Sequence, residues 1–87
     1  MSDRQQRRVI PIAAEVRSIL GNEARGEGPQ IVFRGLRFGV LWDEEAGNFI
    51  ARASRDERNL AAVPARHSNA EIAQTMADVI ASWANRH

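Results

Sequence analysis

Eighty-seven residues with a formal net charge of +1 make one small domain, and a chain of this size hides only about 60% of the surface its unfolded form exposes. No cysteine is present, which excludes a disulfide framework and any thiolate nucleophile or metal ligand and fits a reducing compartment. All 12 basic residues are arginine; with so small a net charge, any case for nucleic acid rests on where those arginines sit.

Residues 1–8 are polar, setting Arg4, Arg7 and Arg8 against Asp3. With nothing there to anchor to a core, they are expected to form a mobile basic N-terminal arm, with one domain over residues 9–87. The start "MSDRQQRRVIPIAAEV" lacks the continuous apolar stretch of a secretory signal, and no run nears the roughly 20 residues of a membrane span. The expectation is a soluble cytoplasmic protein without membrane contact.

From Val9 the apolar positions Val9, Ile12, Ala13, Val16, Ile19 and Leu20 follow helical spacing. Pro11 suits a first turn, and Gly21-Asn22 is a stop, so a helix is predicted from about Pro11 to Leu20. The following "GNEARGEGPQ" reads as a loop.

Strand alternation then appears twice with opposite parity. Leu36, Phe38, Val40 and Trp42 share one face, but upstream the apolar partners are Ile31 and Phe33. One straight strand would throw those two sets onto opposite faces. A two-residue turn at Arg34-Gly35 removes the conflict, setting Phe33 against Leu36 and Ile31 against Phe38. Arginine is not a favoured first turn residue, so a bulge at Gly35 is the alternative. A loop over "EEAG" would likewise pair Trp42 with Phe49, Val40 with Ala51 and Phe38 with Ala53. The expected strands are about Gln30–Phe33, Leu36–Asp43 and Asn48–Ala53.

"SRDERNLAAVPARH" has no clear pattern: Ser54 could cap a short helical turn ending before Pro64, or the strand could run on into Arg55. Ser68-Asn69-Ala70-Glu71 is a capping-box sequence, and Ile72, Met76, Val79, Ile80 and Trp83 follow at helical spacing. A second helix is predicted from about Asn69 to Asn85. The expected fold class is therefore α+β, in the order α-β-β-β-α, a three-stranded antiparallel sheet with two helices packed on one face. Trp42 and Trp83 are core candidates.

The sheet face away from the helices would then carry Val32, Arg34, Arg37, Gly39, Leu41, Ile50 and Arg52. An apolar pair, Leu41 and Ile50, flanked by Arg34, Arg37 and Arg52 is a candidate partner-binding surface, and Gly39 leaves a notch in it. Its partner would be a protein, or a second copy of the chain. Arg4, Arg7 and Arg8 are the candidates for nucleic-acid contact, through phosphate.

Signals for catalysis or metal are weak. "DEEAGN" clusters carboxylates without the spacing of an EF-hand loop, and acidic hairpin tips are common. His67 stands beside Ser68, but Ser68 is better explained as a helix cap, and His87 is the last residue. Asp56 and Glu57 sit in a charged segment with nothing to bury them, and "GNEARGEG" lacks the glycine spacing and lysine of a phosphate loop. The sequence assigns no cofactor, no metal and no catalytic residue.

The element order is similar to that of double-stranded RNA-binding domains, in which a lysine-rich lead-in to the second helix grips phosphate. Here that lead-in reads "ARHSNAEIAQ", with Arg66 and His67 but no basic cluster. The resemblance is one of element order, and no site residue is carried over from it.

Overall fold

A computed structural model describes residues 3–86. One helical turn, α1 (Asp3–Gln6), leads into α2 (Val9–Leu20). Five strands follow, β1 (Ala24–Arg25), β2 (Gln30–Phe33), β3 (Leu36–Asp43), β4 (Asn48–Ala53) and β5 (Arg58–Pro64), and α3 (Asn69–Arg86) closes the chain. The strands pair in chain order as one antiparallel sheet, β1-β2-β3-β4-β5.

The expectation of a three-stranded sheet is therefore corrected to five strands. β1 is too short to show even one period of alternation. β5 hides its period behind a bulge: the register moves from Ala51↔Ala61 to Arg52↔Asn59, so Leu60 is an extra residue. Leu60 and Ala61 then stand side by side against the core, and no alternation survives in "NLAAV". The loop before β5 turns through Glu57 at φ 51°, a left-handed conformation with no glycine to announce it. With two further strands, the likeness to the α-β-β-β-α order of double-stranded RNA-binding domains also fails.

The central strands stand where parity placed them. Phe33 pairs with Leu36 and Ile31 with Phe38 across a turn in which Arg34 (φ 54°) and Gly35 (φ 80°) are both left-handed, the conformation of a type I′ turn. Phe38↔Ala53, Val40↔Ala51 and Trp42↔Phe49 form the next ladder. One face of the sheet thus presents Ile31, Phe33, Phe38, Val40, Phe49 and Ala51 to a core completed by Ile12 and Val16 of α2 and Ile72, Met76 and Ile80 of α3. No residue of the opposite face belongs to that core, so α2 and α3 lie on one side of the sheet.

α2 begins at Val9 rather than Pro11, and Pro11 is its third residue, still within the first turn where an N–H has no intrahelical acceptor. At α3, the Ser68 hydroxyl accepts from the Glu71 N–H (3.1 Å) and the Glu71 carboxylate accepts from the Ser68 N–H (2.9 Å), a closed capping box. Trp42 and Trp83 pack at the margin of the core, both partly buried. Trp42 donates its indole N–H to Glu44 Oε2 (3.1 Å) and tilts against Phe49, with ring centroids 4.8 Å apart. The arm expected over residues 1–8 comprises α1 from residue 3 and an anchored Arg8, while residues 1 and 2 lie outside the described residues.

Candidate functional site

The outer face of the sheet follows from the same register. Leu41 stands opposite Ile50 and Ile50 opposite Ala62; one step along, Gly39 stands opposite Arg52 and Arg52 opposite Asn59. Toward the β2–β3 turn, Val32 lies between Arg37 and Arg25. At the other end Asp43 pairs with Asn48. Along β3 the face therefore runs from a guanidinium, through a glycine notch and an aliphatic centre, to a carboxylate.

The expected interface residues have different fates. Arg37 is exposed; its carbonyl accepts from the Ser54 N–H (2.9 Å), while its guanidinium has no hydrogen-bond partner among the described residues. Arg52 is half-buried and donates from Nε to Asn59 Oδ1 (2.8 Å), so one edge of its guanidinium is held along the sheet. Leu41 is half-buried, and Ile50, between two neighbouring strands, keeps only 4% of its surface. Exposed apolar surface on this face thus comes from Leu41, Val32 and Ala62 more than from Ile50.

Arg34 does not join them. It sits at the tip of the β2–β3 turn with its guanidinium 5.0 Å from the Phe33 ring, donates to Asn85 Oδ1 of α3 (2.7 Å) and pairs with Glu23 at 3.5 Å. Phe33 belongs to the core side, so Arg34 is turned toward the helix layer. Arg25 takes the place it was expected to fill; it was missed because "EARG" has no strand period to show which way its residues face.

Of the N-terminal arginines, Arg4 and Arg7 are exposed. Arg8 is fully engaged: Nε donates to Asn69 Oδ1 (2.8 Å), Nη1 to Gln5 Oε1 (2.8 Å) and to the Ala65 carbonyl (2.9 Å), and Nη2 to the His67 carbonyl (2.7 Å). Its guanidinium also lies 4.9 Å from the Phe49 ring. It ties the start of α2 to the segment before α3 and has little left for phosphate.

The groups considered for chemistry stay apart or are occupied. Asp43 Oδ1 accepts from the Ala46 N–H (3.2 Å) and so closes the β3–β4 loop. Asp56 and Glu57 are exposed in the β4–β5 loop, and His87 lies outside the described residues. His67 faces Glu71 at 3.8 Å. The Ser68 backbone N–H, then its side chain, and more weakly His67, hold the Glu71 carboxyl below its ordinary pKa. Among the described residues no three His, Asp or Glu side chains converge as a metal site would need. A concavity of about 360 Å³ opens at the turn end of the sheet, lined by Leu36, Phe38, Ala53 and Trp83 together with Arg37, Arg55 and Asp56.

No described helix is long and apolar enough to cross a membrane. No protein-family model matches the chain, and comparison with curated proteins and with solved structures finds no match.

Proposed function

We propose that this protein is a small non-enzymatic binding module that docks its outer sheet face on a larger protein or protein–nucleic-acid assembly, as a modulator or inhibitor. The observation that carries this reading is the asymmetry of the sheet. Both long helices pack on one side, leaving Gly39, Leu41 and Ala62 on the other beside an Arg37 guanidinium that has no partner among the described residues. A sheet face with a desolvatable aliphatic centre and guanidinium forks at its margin fits a protein surface of opposite pattern, aliphatic in the middle and carboxylate at the rim. Action would be by occlusion or scaffolding. A cytoplasmic setting fits a chain without cysteine.

A pull-down comparing the wild type with an Arg37→Glu, Arg52→Glu double variant tests this, with Gln74→Ala on the exposed side of α3 as control. The partner should be lost by the double variant and kept by the control. Equal capture by all three places the docking surface elsewhere.

The exposure of Arg4 and Arg7 supports a second reading, direct nucleic-acid binding through phosphate contacts. Salt separates the two: phosphate-led binding weakens steeply with ionic strength, whereas an interface with an apolar centre changes little.

A further inference from the structure

Gly39 has no internal reason to be glycine. The chain has 6 glycines, and Gly21, Gly26, Gly28, Gly35 and Gly47 all have positive φ. Gly39 does not, and among the described residues a Cβ built on it meets only the Pro29 carbonyl oxygen, at 4.0 Å, an ordinary contact. It lies inside β3, where glycine weakens a strand, and its missing side chain would stand on the outer face. Its bare backbone leaves an opening in the outer face where another side chain or backbone can approach closely.

The arrangement of charge indicates what approaches. On the outer side of β3 the order is Arg37, Gly39, Leu41, Asp43: cation, hole, knob, anion. This series is its own complement when reversed. A second copy laid face to face, turned about a two-fold axis that crosses β3 near position 40, sets Leu41 into the partner's Gly39 notch and Arg37 against the partner's Asp43. Because the contact is isologous, each pairing occurs twice. Arg37 and Asp43 are six residues apart, about 20 Å, so each lies about 10 Å from the axis. Packed sheets are rotated by about 30° and stand about 10 Å apart, which displaces the charged ends by about 5 Å, within the span of an arginine side chain. Asp43 uses Oδ1 for the Ala46 N–H, leaving Oδ2 for an incoming guanidinium.

Resting on the docking reading of this face, we infer that the partner it fits first is a second copy of the same chain, giving a symmetric sheet-on-sheet dimer with Leu41 seated in the partner's Gly39 notch. A face of four or five strands covers about 500 Å² per copy, or about 1,000 Å² in all, the low end for a specific interface, so the dimer is a weak one. A target docking on the same face competes with the second copy.

Sedimentation equilibrium from roughly 5 to 500 micromolar, a range suited to so small an interface, is the test. It uses the wild type, Gly39→Val, Arg37→Glu, Asp43→Arg and an equimolar mixture of the last two, each checked for fold by circular dichroism and thermal melting. The wild type should pass from monomer to dimer. Gly39→Val should melt no lower than the wild type, since β-branched residues suit strands, yet remain monomeric. Arg37→Glu and Asp43→Arg should each weaken association by about tenfold or more, because each sets like charges together. Their mixture should form heterodimers near wild-type strength, since one salt pair is then restored with reversed sign, between the two substituted positions, and the other (Arg37 against Asp43) is as in the wild type. Asp43→Arg also removes the cap on Ala46, so if it unfolds, Gly39→Val and Arg37→Glu decide. A wild type that stays monomeric throughout overturns the self-pairing and leaves the docking reading to its own pull-down. A dimer indifferent to Gly39→Val and to charge reversal uses another surface, such as the β5 edge, and overturns it equally.

Discussion

Arg8 shows how far a side chain's role can lie from its local sequence. In "RQQRRVIP" it is one of several arginines in a polar run, and nothing nearby distinguishes it from Arg7. Besides Gln5, its acceptors are the carbonyls of Ala65 and His67 and the Asn69 side chain, about sixty residues away, contacts that no periodicity encodes. Truncating it would leave those partly buried oxygens without donors and strip a cation from the Phe49 ring. Arg8→Ala is expected to cost about 2–3 kcal/mol, in line with hydrogen bonds from a charged donor. For a domain of this size that lowers the melting temperature by roughly 10–20 °C. Arg8→Lys should recover little, since a point charge cannot serve Nε, Nη1 and Nη2 partners together. Arg7→Ala should stay within about 0.5 kcal/mol of wild type. Urea denaturation of the three variants checks this. Arg34 teaches the converse: its turn position was legible, but not that the turn would aim its guanidinium at Phe33 and Asn85 on the helix side.

Elements were legible where two constraints coincided. The β2–β3 turn follows from the parity reversal between Ile31-x-Phe33 and Leu36-x-Phe38 together with a glycine placed for positive φ, and the β3–β4 ladder follows from that. The outer-face placement of Arg37, Gly39, Leu41, Ile50 and Arg52 came with it, so most of the candidate surface was readable. β5 carried one weak constraint, and a bulge erased it; β1 carried none. Helix α3 announced itself twice, by its capping box and by its apolar spacing, and the box has a testable electrostatic consequence. The Glu71 carboxyl is held below its ordinary pKa in the folded state, chiefly by the Ser68 N–H. A depressed carboxylate stabilises the fold while ionised, at pH above the ordinary carboxylate range, and that contribution fades as pH falls through the lowered value. Glu71→Gln should therefore be less stable than the wild type at neutral pH, with the gap narrowing in acid. Urea midpoints of both proteins across the acid range give the measurement, and a gap independent of pH would contradict it.

For the whole molecule, one decision of the fold matters most. Placing α2 and α3 on the same side of a five-stranded sheet consumes Ile31, Phe33, Phe38, Val40 and Phe49 in the core and leaves the reverse face to the solvent or to a partner. That face combines a strand glycine that needs neither positive φ nor extra space among the described residues, an Arg37 guanidinium with no partner among them, and a half-buried Leu41. Association is expected to run through it. The most direct measurement is a map of backbone amide shifts in ¹⁵N-labelled protein as its own concentration is raised and as a captured partner is titrated in. The expected result is a contiguous set of shifts at Arg37, Gly39, Leu41, Asp43, Ile50 and Arg52, with α3 silent. Shifts confined to the helices or to the β5 edge would contradict it.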